Sequence, residues 1–378
     1  MTEFIIKSVL NADWEKELEL IGFDKSYRSN FVEKFYHKNL KIYKLTAAQA
    51  NILKQTALSA GADCAENRNV ISGNIPGLTD VILCGSFNQL KKIAEKLKFQ
   101  PFSLAELAEK IKAQLFIKNN KTKIAGILNI TPDSFSDGGQ YNSIQAACRH
   151  FAQLVDDGAD IIDIGAESTR PGAKPVDGEE QIKKILPVLE FAKSYKIPIS
   201  IDTRSSHTAS VCLKNGAAII NDTSGLKYDN KMAKVIADNG ACAIIQHSAG
   251  NDINMRGGNV YKNVTDEVYL DLSKQIDYAK NSGIQSIIID PGIGFDKDLN
   301  DNFKIINRIE EFYSAGFPVM LGLSRKSMLN MKDSPNAEKD IYTLALNTLA
   351  LEHRVDYIRV HNVKIHRRLI DIYKNDIL

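Results

Sequence analysis

The sequence predicts an α/β protein, a (β/α)8 TIM barrel preceded by a small N-terminal α/β domain. From about residue 123 onward, short runs rich in Ile and Val alternate with longer amphipathic segments. Counted this way, eight apolar runs and eight helical segments fill about 255 residues, which is the repeat and the size of a TIM barrel. An open doubly wound sheet alternates in a similar way and is the alternative fold.

The eight apolar runs are predicted to be parallel strands, because each run is apolar on both faces and so suits a sheet that is covered on both sides. They are residues 123–130, 159–165, 197–203, 217–223, 242–248, 285–290, 317–323 and 355–362. The segments between them have helical patterns, and several end in glycine, as helices often do. The predicted helices are residues 143–158, 179–195, 207–216, 229–240, 264–283, 302–316, 338–353 and 364–375.

The first part of the chain does not join this repeat. Residues 1–118 are predicted to form a separate small α/β domain, and residues 119–378 the barrel. The polar and basic segment 116–123 is a candidate linker. The first domain carries no motif with recognisable chemistry, so its role stays open, and His37 and Cys64 are interpreted as structural or surface residues.

Composition and charge exclude several classes of function. The formal net charge is +2, which gives no reason to expect a nucleic acid or an anionic membrane as a partner. No apolar run approaches the length of a transmembrane helix, and the N-terminus lacks the basic region of a signal peptide. The five cysteines are odd in number and form no C-x-x-C pair, which favours buried thiols in a reducing cytoplasm.

Polar side chains end nearly every predicted strand. In a TIM barrel the C-terminal ends of the strands form one rim, and the active site lies there. Helix capping could explain one such residue, but not polar residues at successive strand ends, and buried charges need a ligand or one another. The set comprises Asn129, Asp202, Asn221, Asp222, Gln246, His247, Asp290, Lys297, Ser324, Arg325, Lys326, Arg359 and His361.

One part of this set suits a flat heterocycle. Asp202, Asn221, Asp290 and Lys326 together offer hydrogen-bond acceptors and donors. A carboxylate can accept two N–H groups of an aminopyrimidine as a bidentate pair. This mixture therefore favours a ring with an amide, ring nitrogens and an exocyclic amine.

Another part of the set suits phosphate. Asn129, Arg359 and His361 come from the first and last predicted strands, which are neighbours in a closed barrel, and Arg binds phosphate as a fork. The chain has no P-loop motif and no Cys/His cluster for zinc. Mg²⁺ held mainly by a diphosphate, water and one protein oxygen is compatible with these residues.

At these positions the sequence resembles the dihydropteroate synthase family. The motifs NITPDSFSDGG, GAESTRPGA, SIDT, IIND, DPGIGFDK, GLSRKS and IRVHN occur in the family's order, and the resemblance covers residues 123–378. It implies a transferase of folate synthesis that joins p-aminobenzoate to 6-hydroxymethyl-7,8-dihydropterin diphosphate, giving 7,8-dihydropteroate and diphosphate. It also implies a sulfonamide target, a Mg²⁺ cofactor and a homodimer.

The resemblance assigns roles by motif position. It implies a pterin site of Asp202, Asn221, Ile245, Asp290, Gly294, Phe295 and Lys326. It implies a diphosphate site of Asn129, Thr169, Arg359 and His361, with Asn129 also near Mg²⁺. It implies a p-aminobenzoate site of Phe135, Arg170, Pro171 and Ser327. The expected catalytic residues are Asn129, Lys326, Arg359 and His361.

The stretch NITPDSFSDGG, residues 129–139, is interpreted as a lid with glycines at its hinge and Phe135 packing on the aromatic co-substrate. The stretch IIQHSAG departs from the family's usual Met-His-Met pattern, and Ile245 is expected in the place of a pterin-contacting methionine.

Two alternatives to the synthase are considered. A pterin-binding methyltransferase module shares the barrel and the pterin acids, but it has no use for the STRP loop or for the phosphate corner of Arg359 and His361. A non-catalytic barrel that serves as a scaffold is the second alternative, and the intact set of site residues argues against it.

Overall fold

The computed structural model describes residues 5–9, 13–118, 120–130, 140–167, 176–248, 260–326 and 334–374, with the backbone alone at 140–143 and 374. The chain divides into two compact units, Met1–Ile117 and Lys118–Leu378. None of the helices in these ranges combines the length and the apolar character needed to cross a membrane.

The N-terminal unit is a three-stranded antiparallel sheet packed with helices. Its strands are β1 (His37–Leu45), β2 (Asp63–Ala65) and β3 (Thr79–Ser86), in the order β1-β3-β2. Its helices are α1 (Trp14–Leu20), α2 (Lys25–Val32), α3 (Ala47–Ser59), α4 (Phe87–Leu97) and α5 (Leu104–Ala113). Thr46 and Ser86 begin α3 and α4 with capping boxes that use Gln49 and Gln89.

The second unit is an eight-stranded parallel barrel, as predicted. Its strands are β4 (Lys123–Asn129), β5 (Ile161–Gly165), β6 (Ile199–Asp202), β7 (Ile219–Asp222), β8 (Cys242–Gln246), β9 (Ser286–Asp290), β10 (Met320–Leu321) and β11 (Tyr357–Val360). They pair in the order β10-β11-β4-β5-β6-β7-β8-β9. A parallel bridge between Ile289 and Val319 joins the two ends of this order. This closure decides against an open doubly wound sheet.

Helices follow the strands around the barrel. They are α6 (Gln140–Asp156), α7 (Gly178–Ala192), α8 (Ser206–Lys214), α9 (Met232–Asp238), α10 (Val264–Asn281), α11 (Leu299–Asn307), α12 (Asn336–Glu352) and α13 (Val363–Lys374). The predicted helix 302–316 is two elements, because the backbone leaves helical geometry at Arg308 (φ −117°) and continues as a 3-10 helix, Ile309–Ala315.

The strands bury side chains on both faces, which separates two apolar layers. Ile244, Ile288 and Met320 belong to a cluster inside the barrel, whereas Ile245 and Ile289 belong to the larger layer between strands and helices. Successive strand residues point to opposite faces. The cluster inside the barrel fills its lower part, and polar residues continue the same inward faces towards the C-terminal ends.

Candidate active site

The barrel brings polar side chains together at the C-terminal ends of its strands. Parallel register makes Asn129, Gly165, Asp202 and Asn221 successive Cα partners across β4 to β7. Gly165 contributes no side chain, and a Cβ there would lie 3.4 Å from Asn129 Oδ1 and 3.5 Å from Asp202 Cβ. The side chains of Asn129 and Asp202 therefore lie on either side of this glycine.

Arg359, on β11, reaches two carboxylates. Its Nε donates to Asp163 Oδ2 at 2.5 Å, and its Nη2 donates to Asp202 Oδ2 at 2.7 Å. Asn221 Nδ2 donates to the same Asp163 oxygen at 3.0 Å. Asp163 is 1% exposed, so its negative charge requires the guanidinium of Arg359 as a partner. The two bonds from Arg359 use two of its five N–H groups, which leaves donors for an anionic ligand.

The surroundings of Arg359 and Asp202 favour a charged guanidinium and a carboxyl group that titrates near neutral pH. Burial raises the pKa of Asp202 to about 7, against the opposing attraction of Arg359. Burial, the largest single influence, disfavours the charge of Arg359, but the attraction of Asp163, Asp202 and Asp290 and the hydrogen bond to Asp163 together outweigh it and raise the pKa of the guanidinium. A ligand that donates N–H groups to Asp202 would stabilise its ionised form.

Lys326 and Asp290 come from the segment after β10 and from the end of β9, which follow β11 around the barrel. Asp290 Oδ1 accepts a hydrogen bond from the Gly292 N–H at 2.7 Å, and burial raises the pKa of this carboxyl group. Lys326 Nζ lies 4.3 Å from the centre of the Phe295 ring, and its Cδ lies 3.3 Å from the position of a Cβ on Gly294. Burial lowers the pKa of Lys326 to about 8, although Asp290 favours its charged form.

Lys297 holds the turn that carries Gly294 and Phe295. Its buried Nζ lies 2.9 Å from the carbonyl oxygens of both Gly292 and Phe295, and 3.0 Å from His247 Nδ1. Burial lowers the pKa of Lys297 to about 7, and in the protonated form these three acceptors use all three of its N–H donors. Burial lowers the pKa of His247 to about 2, so its ring is neutral and can accept at Nδ1.

His361 is oriented by Ser324. Ser324 Oγ lies 2.8 Å from His361 Nδ1 and accepts from the His361 backbone N–H at 3.2 Å. Asp340 on α12 accepts two hydrogen bonds from Arg325, at 2.7 and 2.9 Å, and one from Asn362 at 3.1 Å. One buried carboxylate thus fixes both the segment that leads to Lys326 and the residue after His361.

Ile245 does not join this group of side chains. It is fully buried in the layer between the strands and the helices. Ile244 packs inside the barrel, so Gln246 points inward with it. The orientation of Ile245, away from the barrel interior, disfavours the expected contact with a pterin. Neighbouring residues of a strand point to opposite faces, so the next residue, Gln246, faces the interior instead.

Five of the expected site residues lie outside the described part of the chain. They are Phe135, Thr169, Arg170, Pro171 and Ser327. The residues on either side of the undescribed segment 168–175 are described. Glu167 Oε1 accepts from the Val176 N–H at 3.3 Å and from Arg204 Nη2 at 3.1 Å.

Sequence reasoning missed the roles of Asp163, Gln246 and Lys297. Asp163 is an acidic residue inside the apolar run ADIIDIG, and that anomaly could have indicated it. Gln246 and Lys297 were recognised as polar residues near strand ends, but no role followed from the sequence. Their contacts depend on strand register and on the path of the DPGIGFDK turn.

Comparison with known proteins identifies the family. The family model described as pterin binding enzyme matches residues 125–361, which include every described strand-end residue discussed above. The chain belongs to this family of pterin-binding enzymes. The resemblance found in the motifs is thereby confirmed.

Curated relatives of this pterin-binding chain include dihydropteroate synthases. The one from Clostridium beijerinckii is 40% identical over 259 residues, covering 67% of this chain and 94% of that protein. A probable bifunctional folylpolyglutamate synthase/dihydropteroate synthase from Haloferax volcanii is 33% identical over 342 residues and 83% of this chain. The chain spans only 40% of the length of that relative. This match extends into the N-terminal unit, because the barrel unit is too short to account for it.

Solved structures similar to the chain are dihydropteroate synthases as well. One from Clostridium difficile, in the presence of pteroic acid, has a TM-score of 0.63 and 37% identity, and covers 68% of this chain and 99% of its own. One from Thermus thermophilus, in complex with 4-aminobenzoate, has a TM-score of 0.59 and 32% identity, and covers 69% of this chain and 97% of its own.

Proposed function

We propose that this chain is a dihydropteroate synthase. It condenses p-aminobenzoate with 6-hydroxymethyl-7,8-dihydropterin diphosphate, and it releases 7,8-dihydropteroate and diphosphate. The observation that carries the proposal is the buried set at the barrel mouth, in which Arg359 adjoins Asp163 and Asp202, and Lys326 lies beside Phe295. The similarity to curated dihydropteroate synthases supports it.

The pterin is bound by the deep part of the site. Asp202 and Asp290 accept N–H groups of the aminopyrimidine, and Asn221 and Lys326 supply further hydrogen bonds. Phe295, held in place by the Lys297 network, borders the ring together with Gly294. These groups orient the reacting methylene carbon. Holding it in position accelerates the reaction, because less entropy is lost on the way to the transition state.

The diphosphate is bound by Asn129, Arg359 and His361, with Thr169 as a further expected contact. The bond between the methylene carbon and the diphosphate oxygen breaks, and its electron pair leaves on the diphosphate. The dihydropterin stabilises the positive charge on the methylene while Arg359 stabilises the leaving group. The aniline nitrogen of p-aminobenzoate then forms the new C–N bond and loses a proton. No strong base is required for this nucleophile.

The p-aminobenzoate site is proposed at Phe135, Arg170, Pro171 and Ser327. Sulfonamides are proposed to compete there, because they resemble p-aminobenzoate in shape. These assignments rest on the motifs NITPDSFSDGG, GAESTRPGA and GLSRKS.

Mg²⁺ is the proposed cofactor, and the residues at the diphosphate corner fit it. Asn129 offers a carboxamide oxygen, which is a ligand type that Mg²⁺ accepts. Among the described residues, no group of three or more His, Cys, Asp or Glu side chains could form a metal cage. An ion held mostly by diphosphate and water needs no such cage. When bound, Mg²⁺ would neutralise charge on the diphosphate.

Removal of Mg²⁺ should weaken diphosphate binding. We expect chelation with EDTA to weaken the affinity for dihydropterin diphosphate by about tenfold or more, because several charged oxygens lose their counter-ion. Asn129→Ala should raise the Mg²⁺ concentration needed for half-maximal binding, measured by calorimetry. The exposed Asn307→Ala is the matched control. Identical Mg²⁺ dependence in both variants would contradict the role of Asn129.

Affinity for the pterin substrate should have a bell-shaped pH dependence. Binding requires ionised Asp202, whose pKa is about 7, so affinity should rise as pH increases through that value. It should fall above about pH 8, where Lys326 loses its proton. Calorimetry between pH 5.5 and 9 measures this, with inorganic diphosphate titrated in parallel to separate ionisation of the ligand. If the affinity of Asp202→Asn still rose with pH through about 7, the titration of Asp202 would not be the cause of that rise.

The activity itself is tested by diphosphate release. The protein is incubated with dihydropterin diphosphate and Mg²⁺, with and without p-aminobenzoate, and dihydropteroate is measured chromatographically. Release that depends on p-aminobenzoate, with an equal yield of dihydropteroate, is the expected result. Tight binding of the pterin substrate without release would overturn the synthase and favour a pterin-binding module.

A homodimer in the cytoplasm is proposed on the family resemblance. Sedimentation equilibrium of the full chain at several concentrations tests the dimer. A monomer mass at all concentrations would contradict it.

A further inference from the structure

Gln246 points into the barrel at the level of the proposed pterin site. It is the last residue of β8, and its Cα partner on β9 is Asp290. Two residues earlier, Ile244 and its partner Ile288 pack together inside the barrel. Because side chains alternate along a strand, Gln246 and Asp290 lie on the same inner face.

The Nε2 of Gln246 is buried and has no hydrogen-bond partner in the part of the chain that the structure describes. The residue is 6% exposed, and its Nε2 makes no hydrogen bond to any of the described residues. An unpaired buried donor is costly, and native proteins rarely retain one without a reason. A group on a bound ligand would satisfy this donor.

The surroundings restrict what that ligand group can be. Gly292 lies against the side chain, because a Cβ on Gly292 would be 3.5 Å from Gln246 Cγ. The Gly292 N–H is already bonded to Asp290 Oδ1, which fixes that carboxylate. Gln246 Nε2 therefore presents an N–H donor beside a fixed acceptor. A flat ring with a hydrogen-bond acceptor next to its N–H groups matches this pair.

We propose that Gln246 Nε2 donates a hydrogen bond to an acceptor atom of the bound heterocycle, a ring nitrogen or carbonyl oxygen, and that Gln246 is a specificity-determining residue. This inference rests on the proposed function, because it places the pterin at the barrel mouth. It assigns Gln246 to recognition of the ring and not of the diphosphate.

The test compares ligands by calorimetry on the full chain. Gln246→Met keeps the size of the side chain but removes the amide. It should bind dihydropterin diphosphate about 3- to 10-fold more weakly than the wild type, the size of one neutral hydrogen bond. It should bind inorganic diphosphate unchanged, with no lower midpoint of thermal unfolding. The exposed Gln285→Met is the matched control and should match the wild type in all three measurements.

Ring analogues identify the acceptor. Two pterin diphosphates are used, one with carbon in place of ring nitrogen 5 and one without the 4-oxo group. The analogue that lacks the partner atom should bind wild type and Gln246→Met equally, because neither protein can then make the bond. Gln246→Glu, which replaces the donor with an acceptor beside Asp290, should bind the natural ring at pH 8 at least about tenfold more weakly.

Several results would overturn the proposal. They are affinity of Gln246→Met within twofold of wild type, an equal loss for inorganic diphosphate, or a loss that accompanies a lower unfolding midpoint. The proposed function fails separately if the wild type binds the pterin diphosphate but does not release diphosphate with p-aminobenzoate. The contact of Gln246 is still measured in that case. Absence of any pterin binding by the wild type overturns both.

Discussion

Replacement of Arg359 by methionine should lower kcat/KM for dihydropterin diphosphate by about 10²- to 10³-fold, because the leaving diphosphate loses its principal cation. The same change removes the cationic partner of the buried carboxylates of Asp163 and Asp202, and leaves Asp163 only the hydrogen bond from Asn221 among the described residues. We therefore also expect the free energy of unfolding to fall by about 3–5 kcal/mol. Steady-state kinetics and urea unfolding measure the two effects.

Two further variants separate the catalytic loss from the structural one. Combining Arg359→Met with Asp163→Asn removes one orphaned charge and should restore part of the stability, but not the activity. Arg367, which binds the Gly158 carbonyl and Asp160, provides the control. Arg367→Met should cost stability without changing the affinity for diphosphate. If Arg359→Met retained kcat/KM within about fivefold of wild type, Arg359 would not contact the leaving group.

Replacement of Gly292 by alanine should have the largest effect on stability. The added Cβ would lie 2.0 Å from the carbonyl oxygen of His247, which is far inside contact distance and involves backbone that cannot rotate away. Gly292 also has φ +70°, which strains any other residue. We expect the free energy of unfolding to fall by about 4 kcal/mol or more, with loss of pterin binding, since the turn carries Phe295.

Gly240→Ala is the matched control for this effect. Gly240 has φ +62°, but a Cβ there would meet no atom within 4 Å. It should cost only the backbone strain, about 1–2 kcal/mol, and should leave binding unchanged. Chemical unfolding of both variants measures the difference. Equal losses in the two would show that the contact with His247 relaxes readily.

The fold followed from local patterns. The alternation of apolar runs with helical segments predicted the barrel. A strand buried on both faces and a helix buried on one face each produce a recognisable spacing of apolar residues along the sequence. The polar ends of those runs predicted most of the candidate site, since parallel strands align their C-terminal ends. The limits of the strands differ from the prediction: of the predicted run 317–323, only Met320–Leu321 form a strand. Pro318, which has no N–H, contributes only its carbonyl, to Ile289.

What the sequence determined by itself was the class of fold, the rim on which chemistry lies, and a family signature. The tertiary structure decided which side chains contact one another at the C-terminal ends of the strands. It turned Ile245 outward and Gln246 inward, brought Asp163 and Asp202 to Arg359, and placed His247, 50 residues away along the chain, beside Lys297. Periodicity fixes the spacing of side chains along one element. The register between elements fixes which charges meet, and it is set by packing across the whole barrel.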